Sequence, residues 1–289
     1  MKISRIISIL LLSCVFLELS AKKKEKDYPR AEIRVEYKYH HKFLRGNDGV
    51  VEENIPFILL ANRNYSKFYC PSTEYKDSLR STPSGRAQEK QMFRAAVIAY
   101  SQNRDRSAMD GVVYHSRLYV NKDFDKSVST TYDEAGMGEC GYYDEPFSEI
   151  NWVIEGDSTK RILDYQCVMA TTDYHGRKWT VWFTPDIPLQ DGPWKFCGLP
   201  GLIMEASEPS GQHSFSVAGL ELCNQAIYPV FNSGYEKMNR IDMLRATRHY
   251  RENSNAMFMA ATGSDLGIVD APVTEESRKY DFLETDYHE

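Results

Sequence analysis

The side chains able to do chemistry in this chain are scattered. Its seven histidines are His40, His41, His115, His175, His213, His249 and His288. His40 and His41 are the one adjacent pair, and a strand sends them to opposite faces, so neither is expected to hold a metal. No Gly-x-Ser-x-Gly turn presents a serine nucleophile. Neither His-Glu-x-x-His nor Cys-x-x-Cys occurs. The acidic pairs Asp133-Glu134 and Asp144-Glu145 read as solvated loop charge. From these residues no catalytic group, no metal site and no cofactor is expected.

Trp152, Trp179, Trp182 and Trp194 all fall between residues 150 and 207. Such large rings dominate a core or line a pocket. Core packing is the heavier reading, and the four are kept as candidate ligand-binding residues. Within 178–184 the alternation puts Trp179, Val181 and Phe183 on one face and turns Trp182 to the other. Beyond Cys14, the cysteines are Cys70, Cys140, Cys167, Cys197 and Cys223. Their spacing fits no compact zinc pattern. In an oxidising compartment an odd set leaves one thiol unpaired, and Cys167 with Cys197, bordering the most motif-like region, is the candidate disulfide.

The chain opens with Lys2 and Arg5, an apolar run from Ile6 to Leu17, and small residues ending at Ala21. That pattern is a signal peptide over 1–21, too short to span a bilayer comfortably. Cys14 offers the alternative of a lipoprotein acylated there. No other stretch has the apolar length of a membrane helix. A formal net charge of −6 argues against nucleic acid as partner, which needs a basic face. The length suits a single domain with a sizeable core.

Those residues must be positioned by sheet. Ile33, Val35, Tyr37 and Tyr39 alternate with polar residues, the mark of a half-buried strand. Further strands are expected at Phe57–Leu60 after Pro56, Ser66–Cys70, Gly111–Val120, Lys126–Tyr132, Ile150–Ile154, Thr159–Thr171, Lys178–Thr184, Leu202–Ala206 and His213–Val217. Turns are expected at 62–64, 155–158, 174–177 and 209–211. Met92, Phe93, Ala96, Val97 and Tyr100 recur at helical spacing, which predicts an inserted helix over 86–101. A second helix is expected over 235–252, and a poorly ordered tail over 264–289. The domain is therefore 22–263, mainly β: a curved antiparallel sheet or partly open barrel, a bowl or half-barrel, with one inserted helix and a C-terminal helix.

One run carries a resemblance. Trp152, Thr159-Lys160-Arg161-Ile162, Tyr165, Cys167, Ala170, Gly176-Arg177, Trp182-Phe183-Thr184-Pro185, Ile187-Pro188, Gly192-Pro193-Trp194-Lys195-Phe196 and Gly198-Leu199-Pro200-Gly201-Leu202-Ile203 closely resemble the signature of the GLPGLI family. The resemblance implies an exported protein of Bacteroidota, of unassigned function and without established catalytic residues. It also implies likeness to the bowl-like N-terminal β-module of some glycoamidases and, in hairpin order, to lipoprotein-carrier half-barrels. Asp157-Ser158-Thr159 and Asp77-Ser78-Leu79 resemble the short O-glycosylation sequon of Bacteroidota, making Ser158 and Ser78 candidate acceptors. Read physically, the Gly198–Ile203 motif is structural: Pro193 and Pro200 fix φ, the glycines allow close crossing, and Leu202 and Ile203 enter a strand.

Three readings follow. The first is a non-enzymatic protein of the periplasm or cell envelope that binds an apolar or envelope-derived ligand, or an outer-membrane or periplasmic protein partner. The second is a hydrolase or glycan-active accessory enzyme. The third is a purely structural envelope scaffold.

Overall fold

The computed structural model describes residues 27–44, 49–103, 106–109, 111–112, 114–136, 138–147, 150–231, 234–263 and 280–288. The expectations for residues 1–21, Cys14 included, lie outside them, as do 264–279 of the expected tail.

Among the described residues twelve strands form one sheet: β1 (Ile33–Leu44), β2 (Val50–Ala61), β3 (Tyr65–Tyr69), β4 (Tyr119–Asp123), β5 (Val128–Glu134), β6 (Cys140–Pro146), β7 (Val153–Ile162), β8 (Tyr165–Tyr174), β9 (Arg177–Thr184), β10 (Leu202–Ser207), β11 (His213–Leu222) and β12 (Tyr235–Lys237). Their spatial order is β12-β6-β5-β4-β3-β2-β1-β11-β10-β9-β8-β7, so the sheet does not close and β12 and β7 are its edges. Every pairing is antiparallel except β12 with β6. Register shifts at Glu36/Tyr37, Ile203/Glu205 and Glu155/Thr159 insert bulges, which bend strands. The result is the expected mainly β, bowl-like sheet.

The alternation read in β1 places Ile33, Val35, Tyr37 and Tyr39 in the main core. Phe57 and Leu59 of β2, Phe68 of β3, Trp179, Val181 and Phe183 of β9, and Phe215 of β11 join them. Pro56 lies inside β2 opposite Lys38, before the pairing with β3 begins at Ile58, so its missing N–H interrupts no ladder on that side. The 175–176 turn has φ of 51° and 78°, the paired left-handed residues of a two-residue hairpin.

Four elements differ from the pattern expected of the sequence. The 155–158 segment is a bulge inside β7, not a turn; the chain reverses at Leu163, φ 52°. The expected strand over 111–120 is confined to β4. The insertion holds two helices, α1 (Pro71–Arg80) and α2 (Pro83–Asn103). α1 packs by polar side chains, with Tyr119 donating to Asp77 at 2.7 Å and Lys67 to Glu74 at 2.8 Å, so it has no apolar periodicity to read. Finally, the 235–252 region opens as β12 before helix α3 (Arg240–Glu252), whose start Asn239 caps, and α4 (Ser254–Thr262) follows. Among the described residues no helix is long and apolar enough to cross a membrane.

The β9–β10 connection, 185–201, folds into the bowl instead of round its rim. Trp194, Phe196 and Leu199 enter the main core. Buried Lys122 of β4 holds the connection, donating to Asp191 at 2.6 Å and to the carbonyls of Gly192 at 2.8 Å and Phe196 at 2.9 Å. A Cβ on Gly201 would stand 2.1 Å from the Thr184 carbonyl oxygen, so only glycine lets the chain cross there. Gly198 has room but takes φ +91°. Leu202 and Ile203 then run into β10, fully buried.

Candidate functional site

The inward row of β1 continues past Tyr39 to His41 and Phe43, where the core gives way to a cavity of about 540 Å³. Its wall also takes in Ile55, Asp133, Glu134, Trp194, His213, Met243, Leu244, Arg248, Arg251 and residues 280 and 282–284. His41 stacks on Tyr39, Phe43 and His213 with centroids 5.6, 5.0 and 5.0 Å apart. His213 is fixed at both nitrogens: the Tyr39 hydroxyl donates to Nδ1 at 2.7 Å, and Nε2 donates to the Asp281 carbonyl at 2.9 Å. Burial holds this imidazole well below its ordinary pKa, and the neutral tautomer is the one both bonds require. Burial first, then the charge of Arg251, takes His41 down to about 4.

Asp133 shares the parity of buried Ser129 and Thr131 on β5, which carries it onto the concave face. Burial pushes its carboxyl up to about 7, against the Glu134 amide that donates to it at 2.8 Å and against Arg251. Arg251 comes from α3 and lies 4.2 Å from the Phe282 ring centroid. One wall thus carries a carboxyl poised near neutrality, a guanidinium and a neutral imidazole. Such a set can donate, accept and hold a proton.

Beside the cavity lies a buried ionic network. Lys195 Nζ is 2.5 Å from Glu145 and 2.6 Å from Glu284, and donates to the Tyr143 hydroxyl at 2.9 Å. Arg240 reaches Glu284 at 2.7 Å, Asp286 at 2.6 Å and Glu145 at 3.2 Å. His175, in the β8–β9 turn, is 3.1 Å from Asp286 and 3.3 Å from Glu145. Burial alone would raise the Glu284 carboxyl, but Lys195, His175 and Arg240 hold it at about 2. Glu145, His175 and Glu284 offer donor atoms within 4.8 Å of one another, a set of types that suits a metal. Lys195 and Arg240 already neutralise those carboxylates, so the network is complete as ion pairs.

Of the four tryptophans, Trp194 alone lines this cavity. Trp179 is core. Trp152 is half-buried and donates to the Cys197 carbonyl at 2.8 Å, bracing the Gly198 turn from outside. Trp182 points away from Trp179, as the alternation requires, under Lys160 at 4.5 Å. Cys167 and Cys197 are not joined: all five described cysteines are free thiols. Cys167 sits on the apolar face of β8, while Cys197 lies in the infolded connection, paired in a bridge with Asp191. Ser158 lies in the β7 bulge, and the Ser78 hydroxyl donates to Tyr75 within α1. The acidic pairs are strand residues, not loop charge: Asp144 points out to Lys237 at 2.8 Å and Glu145 points in. Parity with Tyr143 was the signal for that inward turn. Residues 280–288, expected in a loose tail, are packed, with Asp281, Glu284 and Tyr287 buried.

A family profile described as a protein of unknown function (Porph_ging) matches residues 174–205, from the end of β8 into β10. No curated protein matches the sequence. Among solved structures, the chain is similar to PNGF-II in crystal form P21, with a TM-score of 0.50 and 11% identity over 76% of this chain and 34% of that one. The C2 form of PNGF-II gives 0.47 and 10% over 77% and 34%. A putative outer-membrane lipoprotein-sorting protein domain from Vibrio parahaemolyticus gives 0.23 and 6% over 75% and 95%. The chain thus spans about a third of PNGF-II, and at that identity the likeness is one of fold.

Proposed function

We propose that this is an exported envelope protein, of the GLPGLI type, that holds a ligand in the cup of its sheet. The observation that carries the reading is the cavity of about 540 Å³, within the size class of small-molecule sites. Its lining sets the ligand class. Phe43, Ile55, Met243 and Leu244 supply an apolar part, while Asp133, Glu134 and Arg251 supply a polar end. A molecule with an apolar body and one polar head that both donates and accepts fits such a wall. The match over 174–205 covers the densest part of the run that resembles the family, which supports that assignment. The leader read in residues 1–21 supports export, with a soluble periplasmic form preferred to a lipid anchor at Cys14.

Trp194 stands in the wall and reports on occupancy. A lipid, glycan and peptide panel is expected to yield one saturable change in tryptophan fluorescence, weakened about tenfold by Arg251→Met, the scale of one charge-assisted contact. A flat response across the panel, with nothing co-purifying, would sink the reading. The scaffold alternative is removed by any saturable ligand.

The enzyme reading is favoured by one observation: His41, His213, Asp133 and Glu134 share the cavity. Against it, both nitrogens of His213 are committed to Tyr39 and Asp281. Turnover of a glycan or amide substrate that Asp133→Asn abolishes, while ligand affinity persists, would decide for it.

A further inference from the structure

Residues 280–288 lie in the bowl as a bound peptide would. Apart from a short 3-10 turn at Asp286–His288, they form no helix and pair with no strand. Their backbone is read by side chains of the body: Arg177 donates to the Phe282 carbonyl at 2.6 Å, His213 to that of Asp281 at 2.9 Å and Arg245 to that of Tyr287 at 3.1 Å. Their carboxylates meet cations of the body: Glu284 with Lys195 and Arg240, Asp286 with Arg240, and Asp281 with Arg248 at 3.4 Å. Two hydrogen bonds to the β8–β9 turn complete the seat: Thr285 N–H donates to the His175 carbonyl at 2.9 Å, and the Thr285 hydroxyl donates to the Gly176 carbonyl at 3.0 Å.

The charges of the body are only partly matched among themselves. Among the described residues of the body, the four cations Lys195, Arg240, Arg177 and Arg248 meet three carboxylates, Glu145, Glu208 and Glu252. Without the segment a positive excess is left in a buried place, where unpaired charge is costly. A cation–ring contact adds to the fit, since Phe282 packs under Arg251 at 4.2 Å, while buried Tyr287 donates to Asp281 at 2.6 Å within the segment itself. Residues 264–279 separate the segment from the end of α4, a length of chain that reaches roughly 50 Å when extended.

We infer that the inner wall of the bowl is a recognition groove for an acidic, aromatic-bearing peptide, and that residues 280–288 are its exchangeable resident. The groove reads carbonyls with Arg177, His213 and Arg245, and carboxylates with Lys195, Arg240 and Arg248. Tyr280, Phe282, Leu283 and Glu284 also line the cavity, so departure of the segment widens the cup.

The test uses the full chain with a specific protease site placed within 264–279. After cleavage, a fluorescent peptide of sequence 280–288 is titrated in and its anisotropy followed, with circular dichroism monitoring the fold. Saturable exchange is expected. A peptide carrying Glu284→Gln and Asp286→Asn is expected to bind at least tenfold more weakly, and higher salt to weaken the parent peptide. A severed segment that excess peptide never displaces, or a body that unfolds on cleavage, would overturn the inference, because either outcome makes 280–288 a fixed part of the core. Equal binding of the neutralised peptide would overturn the ionic recognition. The readout is on the peptide alone. Failure of exchange therefore leaves the small-ligand reading intact, and an empty cup leaves the groove intact.

Discussion

The two halves of the bowl's interior are filled in opposite ways. On the β8–β10 side the chain turns its own connection inward, and Trp194, Phe196 and Leu199 pack against Trp179 with glycine at the crossing. Away from that connection the wall carries Asp133 and Glu134 from β5, Arg251 from α3 and the stacked His41 and His213 from β1 and β11 around open space, and residues 280–288 bridge it to the β8–β9 turn. The first filling is steric and leaves no room for a side chain at the Gly201 crossing. The second is electrostatic and leaves room. The contrast teaches that the six-residue motif shapes the cup, while the charged groups around the open space come from other elements.

Loading atoms onto the packed side should produce the largest effect. Gly201→Val forces a side chain onto the Thr184 carbonyl, which stands 2.1 Å from the ideal Cβ position. A loss of about 4 kcal/mol or more is expected, enough to prevent folding of many domains. Gly198→Ala meets no neighbour closer than 3.8 Å, so only the positive φ is strained, and about 1–3 kcal/mol should be lost. Urea unfolding of the pair checks the order. If Gly201→Val folds with wild-type stability and loses ligand binding alone, the motif belongs to the site and not to the scaffold.

Lys122 is the joint between the packed connection and the sheet. Lys122→Met leaves Asp191 buried beside it without a cation, and about 3–5 kcal/mol should be lost. Adding Asp191→Leu removes the stranded charge, so the double variant should unfold at a higher denaturant concentration than the single one. Additive losses in that cycle would show that the ion pair is not what holds the connection in place.

How much of this was legible follows the same division. The alternation in β1 and β9, the hairpin at His175-Gly176 and the role of the Gly198–Ile203 run could be read because sheet period and backbone freedom are local properties. The ionic wall was hidden because its members come from β6, the β8–β9 turn, the infolded connection, α3 and residues 280–288. Strand β6 carries Gly141, Asp144 and Glu145, so hydrophobic patterning misses it, although parity with Tyr143 marks Glu145 as inward. α1 buries Lys76 and Asp77 in place of leucines, which removes the usual helical stripe. Polar groups whose partners are distant in sequence look like solvent-facing charge until the partners are placed.

The smallest effect, and the one most specific to the open side, should come from Asp133. Its carboxyl titrates near 7 in the fold and near 3.8 when free, because burial opposes its ionised form while Glu134 adds like charge and Arg251 only partly compensates. A raised acid pKa means that the folded state holds the proton more tightly. The group's contribution is therefore fully present below about pH 4 and declines as the pH rises to about 7. Because the side chain is only half-buried, the decline should be on the order of 1–2 kcal/mol, not the full value of the shift. Asp133→Asn removes it, so the variant's melting temperature should exceed the wild type's at pH 8 and approach it at pH 5. Parallel melting curves at both pH values would mean that this carboxyl is solvated like any surface aspartate. The open wall would then lack the poised acid that distinguishes it from the packed one.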